Sequence, residues 1–121
     1  MKKLPSVLLL CSVFLSEISC NKSNNTDTVA YEVKTTSGTW SGDYFDYANN
    51  NQSLKFVSSL PSGWKYSFSV VKGKKLGLVL SAIPDNVNGS TTAIANIYLN
   101  NKIISTDTSA FGATAQITIN Q

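Results

Sequence analysis

Trp64-Lys65-Tyr66-Ser67-Phe68-Ser69-Val70 places four large apolar side chains at a strict period of two, with three polar ones between them. Alternation of this kind describes a β-strand with one buried and one wet face, because successive strand side chains point to opposite sides of the sheet. Leu76, Leu78 and Leu80 repeat the pattern against Gly77, Val79 and Ser81, and Lys72-Gly73-Lys74 lies between the two runs. Glycine in a short polar connection suggests that the two runs form a hairpin. Upstream, Val29, Tyr31 and Val33 mark one strand, Trp40 to Tyr47 a second and Leu54 to Val57 a third. Downstream, Ala93, Ala95, Ile97 and Leu99 lead into Asn100-Asn101, followed by Lys102-Ile103-Ile104. Asparagine tolerates the positive φ angles of a type I′ turn, so this segment also reads as a hairpin. Ala113, Ala115, Ile117 and Ile119 alternate with Thr114, Gln116 and Thr118 as the closing strand.

About seven to eight short strands, separated by Gly, Asn, Ser and Pro at intervals near ten residues, predict an all-β, immunoglobulin-like antiparallel β-sandwich. Its expected inward residues are Tyr31, Val33, Trp64, Tyr66, Phe68, Val70, Leu76, Leu78, Leu80, Ile97, Leu99, Ile117 and Ile119. No window offers a sustained helical repeat, and no second domain or internal repeat is visible.

The first residues have a different composition. Lys2 and Lys3 precede an apolar stretch from Leu4 to Leu15, the length of a signal-peptide core and too short to span a bilayer. Ser19 then stands before Cys20, and a polar run follows from Asn21 to Thr28. The arrangement resembles a bacterial lipoprotein signal, in which cleavage before a Cys exposes a thiol that takes a diacylglycerol. Glu17 replaces the apolar residue of the usual motif, a relaxed form resembling that of Bacteroidetes-type bacteria. The expected organisation is therefore a lipoprotein signal peptide over 1–19, lipidation at Cys20, a polar tether over 20–28 and a β-sandwich domain over 29–121. As a flexible linker, its stretch from Asn21 to Thr28 reaches at most about 26 Å at about 3.3 Å per residue. The expected location is the bacterial cell envelope, lipid-anchored at the outer membrane. Cys11 falls within the leader, so no internal disulfide can staple the domain and its core must supply the stability.

Composition narrows the chemistry. The chain has 121 residues, no His and no Arg, with all ten basic residues lysine. A Ser-His or Cys-His nucleophile pair, a His-bearing zinc site and an arginine clamp on phosphate cannot be built from it. We expect no enzyme activity, no cofactor and no metal site. The net charge is +3, and +2 once residues 1–19 are removed (8 Lys against 6 Asp and Glu), too small and scattered to argue for nucleic acid.

Several short motifs occur in a suggestive order: Tyr31-Glu32-Val33, Ser37-Gly38-Thr39, Leu60-Pro61 with Trp64, Val71-Lys72-Gly73 with Leu76, and Ile97 with Asn100-Asn101-Lys102-Ile103-Ile104. From Val29 to about Ile119 this resembles the soluble domain of the mycobacterial membrane protein small (MmpS) family. The resemblance implies an immunoglobulin-like sandwich held at the membrane, assisting a resistance-nodulation-division exporter of lipids or siderophores. Members of that family carry a transmembrane helix where this chain has its leader. They also carry a Cys pair in the last strands, where this chain has residues such as Ala95 and Ile117.

Few residues offer chemistry. Asp43 and Asp46, three apart on a strand, should point to opposite faces and so cannot cooperate as a glycosidase pair; a solvated strand edge is the expected setting. Asp85-Asn86-Val87-Asn88-Gly89 lacks the oxygen ligands of a calcium loop at its third and fifth positions. Lys72, Lys74 and Lys75 could touch anionic headgroups or simply confer solubility. Trp40, Phe45, Tyr44 and Tyr47 form the aromatic segment, and alternation places Trp40 and Tyr44 on one face, Phe45 and Tyr47 on the other. Either the strand is covered on both sides or one face presents rings to a ligand, and Trp40, Tyr44 and Tyr47 are the candidate ligand contacts. Two function classes follow. One is a non-catalytic envelope accessory module, bound to the membrane by its lipid, with a transporter as protein partner. The other is a surface module that binds a glycan or another extracellular ligand.

Overall fold

A computed structural model describes residues 25–48, 51–86 and 90–120. The expected leader over 1–19, Cys20, residues 21–24 of the expected tether, and Val87, Asn88 and Gly89 of the candidate calcium loop lie outside the described residues. Eight strands follow one another: β1 (Thr26–Thr35), β2 (Trp40–Asp46), β3 (Ser53–Leu60), β4 (Trp64–Val71), β5 (Leu76–Pro84), β6 (Ala93–Leu99), β7 (Lys102–Ser109) and β8 (Ala113–Ile119). They form two four-stranded antiparallel sheets, β4-β1-β6-β7 and β3-β2-β5-β8, packed face to face as a sandwich.

The inward residues named from alternation line the space between the sheets. Tyr31, Val33, Phe68, Val70, Leu78, Leu80, Ile97 and Ile119 are buried, while Trp64, Tyr66, Leu76, Leu99 and Ile117 are half-buried against them. Rings from both sheets make a continuous column. Trp40 meets Trp64 at 5.2 Å, Tyr44 meets Trp64 and Tyr66 at 5.4 Å each, and Tyr31 meets Phe68 at 5.4 Å. These centroid distances suit edge-to-face and tilted aromatic pairs, each worth about 0.5–1.5 kcal/mol beyond area burial. One flank is closed, since Ser105 Oγ donates to Gln116 O at 3.1 Å and Thr114 N to Asp107 Oδ2 at 2.9 Å. On the other flank, β3 and β4 are the free edges of their sheets.

The Asn100-Asn101 hairpin forms as the turn chemistry requires. Both residues have positive φ, 49° and 68°, and Leu99 pairs with Lys102. The hairpin expected at Lys72-Gly73-Lys74 does not form: β4 pairs with β1 over eight residues, whereas β5 lies between β2 and β8 in the other sheet. Two strongly amphipathic strands can bury their apolar faces side by side or face to face. Here β1 takes up the hydrogen-bonding edge of β4, and the connection crosses between layers. The domain also begins earlier than residue 29. Thr26 pairs with Val71, and Asp27 is buried, accepting a hydrogen bond from Asn100 Nδ2 at 2.8 Å. That contact draws Thr26 to Thr28 out of the expected tether and into β1.

β3 runs beyond Val57 by means of a bulge. Trp40 pairs with Leu60 and Gly42 with Val57, so Ser58 and Ser59 stand opposite Ser41. Ser59 takes φ 55° and its N–H donates to Ser41 Oγ at 3.1 Å. The extra residue lets Val57 and Leu60 both face inward, as bulges commonly re-aim a side chain.

Candidate functional site

The aromatic residues proposed as ligand contacts belong to the core. Trp40 is 0% exposed, Tyr44 8% and Tyr47 6%. For Trp40 and Tyr44 the alternation holds, and both point between the sheets. Tyr47 departs from it because β2 ends at Asp46; the chain turns, its ring lies 6.3 Å from Phe68, and its hydroxyl donates to Gly77 O at 2.6 Å. Burial raises the Tyr44 and Tyr47 hydroxyls above their ordinary value, as it does far more strongly for Tyr31, whose hydroxyl donates to Phe45 O.

The two carboxylates of β2 separate as expected, but Asp46 is not on a solvated edge. It is buried, accepts from Ala48 N at 3.0 Å, and has the Tyr66 hydroxyl 3.0 and 3.1 Å from its two oxygens. The inward parity of Asp46 makes it a polar bridge between sheets, and a buried carboxylate needs such partners. Asp85 is exposed and closes the turn between β1 and β2: Thr39 Oγ1 and Ser41 Oγ donate to it at 2.6 Å each. These hydrogen bonds hold its carboxyl below the usual range. Among the described residues, no group of three or more His, Cys, Asp or Glu is placed to hold a metal.

On the outer face of the first sheet, Glu32 organises a polar network. Its Oε1 accepts from Tyr98 OH at 2.8 Å and Asn96 Nδ2 at 3.2 Å, and Thr106 Oγ1 donates to Asn96 Oδ1 at 2.6 Å. Lys65 Nζ sits 4.8 Å above the Tyr98 ring, and Lys34 Nζ is 4.0 Å from Glu32. Burial pushes the Glu32 carboxyl up, but the Tyr98 and Asn96 hydrogen bonds and the two lysines outweigh it, so the group is held below its ordinary value. This network ties β1, β6 and β7 together.

The outer face of the second sheet is different in kind. Phe56 is 75% and Leu54 45% exposed, both projecting from edge strand β3 on the side away from the core. Leu54 pairs with half-buried Phe45 on β2. Val79, one place along β5 from the Tyr44–Leu80 pair, continues the row. Beyond it is a shallow depression of about 340 Å³ lined by Gly77, Val79, Gln116 and Thr118, with Leu78 and Ile117 at its floor. The missing side chain of Gly77 opens this notch: a Cβ there would meet nothing within 4 Å. Four strands thus assemble an apolar row ending in a polar-walled notch. Sequence reading passed over Leu54 and Phe56, although apolar residues on both faces of Leu54-Lys55-Phe56-Val57 were its visible signal.

Comparison with known proteins finds no family model that matches the chain and no match among curated sequences.

Proposed function

We propose that the chain is a non-catalytic lipoprotein of the bacterial envelope, anchored through Cys20, whose sandwich is a protein-binding accessory module. The observation that carries the binding half of this reading is the row Phe56, Leu54, Phe45 and Val79 on the outer face of the second sheet. Large apolar side chains grouped on a sheet surface are a recurrent feature of protein docking sites, where aromatic anchors dominate the energetics. The short motifs that resemble those of the mycobacterial membrane protein small family favour an exporter subunit as partner. The notch beside Val79, walled by Gln116 and Thr118, is the feature that favours a sugar instead, because an amide and a hydroxyl beside an apolar surface suit a saccharide.

A photo-crosslinking residue at position 56, compared in intact cells with one at Ser67 on the opposite sheet, tests the docking surface. Position 56 should capture one envelope protein that position 67 does not; the same products from both positions would remove the outer face of the second sheet as the docking surface. Labelling with a palmitate analogue tests the anchor separately. Wild type should take up label and Cys20→Ala should not, and equal labelling would sink the lipoprotein reading.

A further inference from the structure

The two ends of the sandwich differ in charge. At one end lie the start of β1, the connection from β4 to β5, the turn from β6 to β7 and the end of β8, as the strand registers require. Lys72, Lys74, Lys75 and Lys102 are all exposed there, four of the seven lysines among the described residues. Among the described residues, the carboxylates at this end are Asp27 and Asp46, both buried. Asp27 is held by Asn100 and lies 3.9 Å from Lys72 Nζ, whereas Asp46 is turned inward to Tyr66. Exposed Asp85 and half-buried Asp107 lie toward the opposite end.

The basic end is also where the chain comes in from its N-terminal segment. Asn25 O accepts a hydrogen bond from Lys72 N at 3.1 Å, which places the base of β1 beside the lysine-bearing connection. With β1 beginning at Thr26, only Asn21 to Asn25 separate Cys20 from the sandwich. Five residues reach at most about 18 Å even when fully extended. A lipid on Cys20 would therefore hold this end against the bilayer surface, near enough for the lysines to come within a Debye length of about 8 Å.

We infer that this end of the sandwich, through Lys72, Lys74, Lys75 and Lys102, docks on the anionic phospholipid headgroups of a bilayer and orients the domain on it. The attraction belongs to the folded domain, while the geometry rests on the Cys20 anchor proposed above. In this orientation the strands stand away from the membrane, and the Phe56 face is presented sideways, toward a neighbour in the same bilayer.

The test uses the chain from residue 20 with Cys20→Ser, so that no lipid contributes; all eight strands lie within it. Its cosedimentation is measured with phosphatidylcholine vesicles, with and without a third of phosphatidylglycerol, at low salt and at salt on the order of 0.5 M. It should bind the anionic vesicles at low salt and release at high salt. Each Lys→Gln change at positions 74, 75 and 102 should weaken binding about five-fold, the equivalent of about 1 kcal/mol per lysine near an anionic surface, and Lys72→Gln less, because Asp27 already offsets its charge. The triple variant should lose roughly a hundred-fold. Lys34→Gln with Lys65→Gln removes charge from the side of the first sheet and should change binding no more than about two-fold. No binding to anionic vesicles at low salt, or an equal loss per charge from the Lys34 and Lys65 changes, would overturn the inference. Palmitate labelling reads the anchor independently, so failure of one does not imply failure of the other.

Discussion

Replacing Tyr44 with Ala separates a packing role from a binding one in a single measurement. The ring is 8% exposed and touches three others, Tyr31 at 5.5 Å and Trp64 and Tyr66 at 5.4 Å each. Truncating a large buried aromatic removes its transfer free energy and leaves a cavity that the two sheets close only in part, at a cost of about 3–5 kcal/mol. A domain of this size has about 5–15 kcal/mol in all, so a large share of the stability goes with one side chain. Since about 1 kcal/mol shifts the melting temperature of such a domain by about 4–8 °C, Tm should fall by on the order of 15–30 °C. Urea denaturation followed by tryptophan fluorescence suits the assay, because Trp40 and Trp64 are part of the same ring column. Phe56→Ala is the companion, and at 75% exposure it should stay within about 0.5 kcal/mol of wild type. Equal, small shifts for the two variants would mean that Tyr44 faces water, and would return the aromatic strand to the set of binding surfaces.

Gly42→Ala should destabilise the domain by about 3 kcal/mol or more, since the new Cβ would lie 1.9 Å from Ser81 O and would force β2 away from β5. Gly77→Ala, where nothing lies within 4 Å, should stay within about 1 kcal/mol, and comparison of the two urea midpoints checks both. Tyr66→Phe removes the hydroxyl donor to buried Asp46 and should cost about 1–3 kcal/mol; a neutral result in the same assay would mean that water replaces the hydroxyl. Glu32 has a folded-state pKa below its unfolded value, so the stability it contributes is present above the ordinary glutamate range and is lost as pH falls through the folded-state value. Tyr98→Phe deletes one of the hydrogen bonds that lower that pKa. It should flatten the acid limb of a stability-against-pH curve, and an unchanged limb would show that the Tyr98 bond contributes nothing there.

Much of the architecture was legible because it depends on neighbours along the chain. Period-two alternation marked the strands and chose the inward face at Tyr66, Phe68, Leu78, Leu80 and Ile97, and Asn100-Asn101 announced its own turn. The candidate site was much less so. Alternation gives the two faces of a strand but not whether the outer face is covered, and Leu54 and Phe56 show their exposure only once β3 is known to be an edge. Tyr47 misled for a related reason: its parity was counted along a strand that stops one residue earlier.

The sequence by itself determined an all-β chain, its strands and most of its core, because a buried face needs apolar side chains at every second position and a tight turn needs residues that accept positive φ. Only the tertiary structure decided that β4 and β5 lie in opposite sheets, that Asp27 brings Thr26 to Thr28 into β1, and that lysines from positions 72 to 102 gather at the end where the N-terminal segment joins. Those outcomes depend on which distant strand satisfies a free hydrogen-bonding edge and which faces meet across the core. Such pairings are set between segments far apart in the chain, where periodicity and turn propensity carry no information.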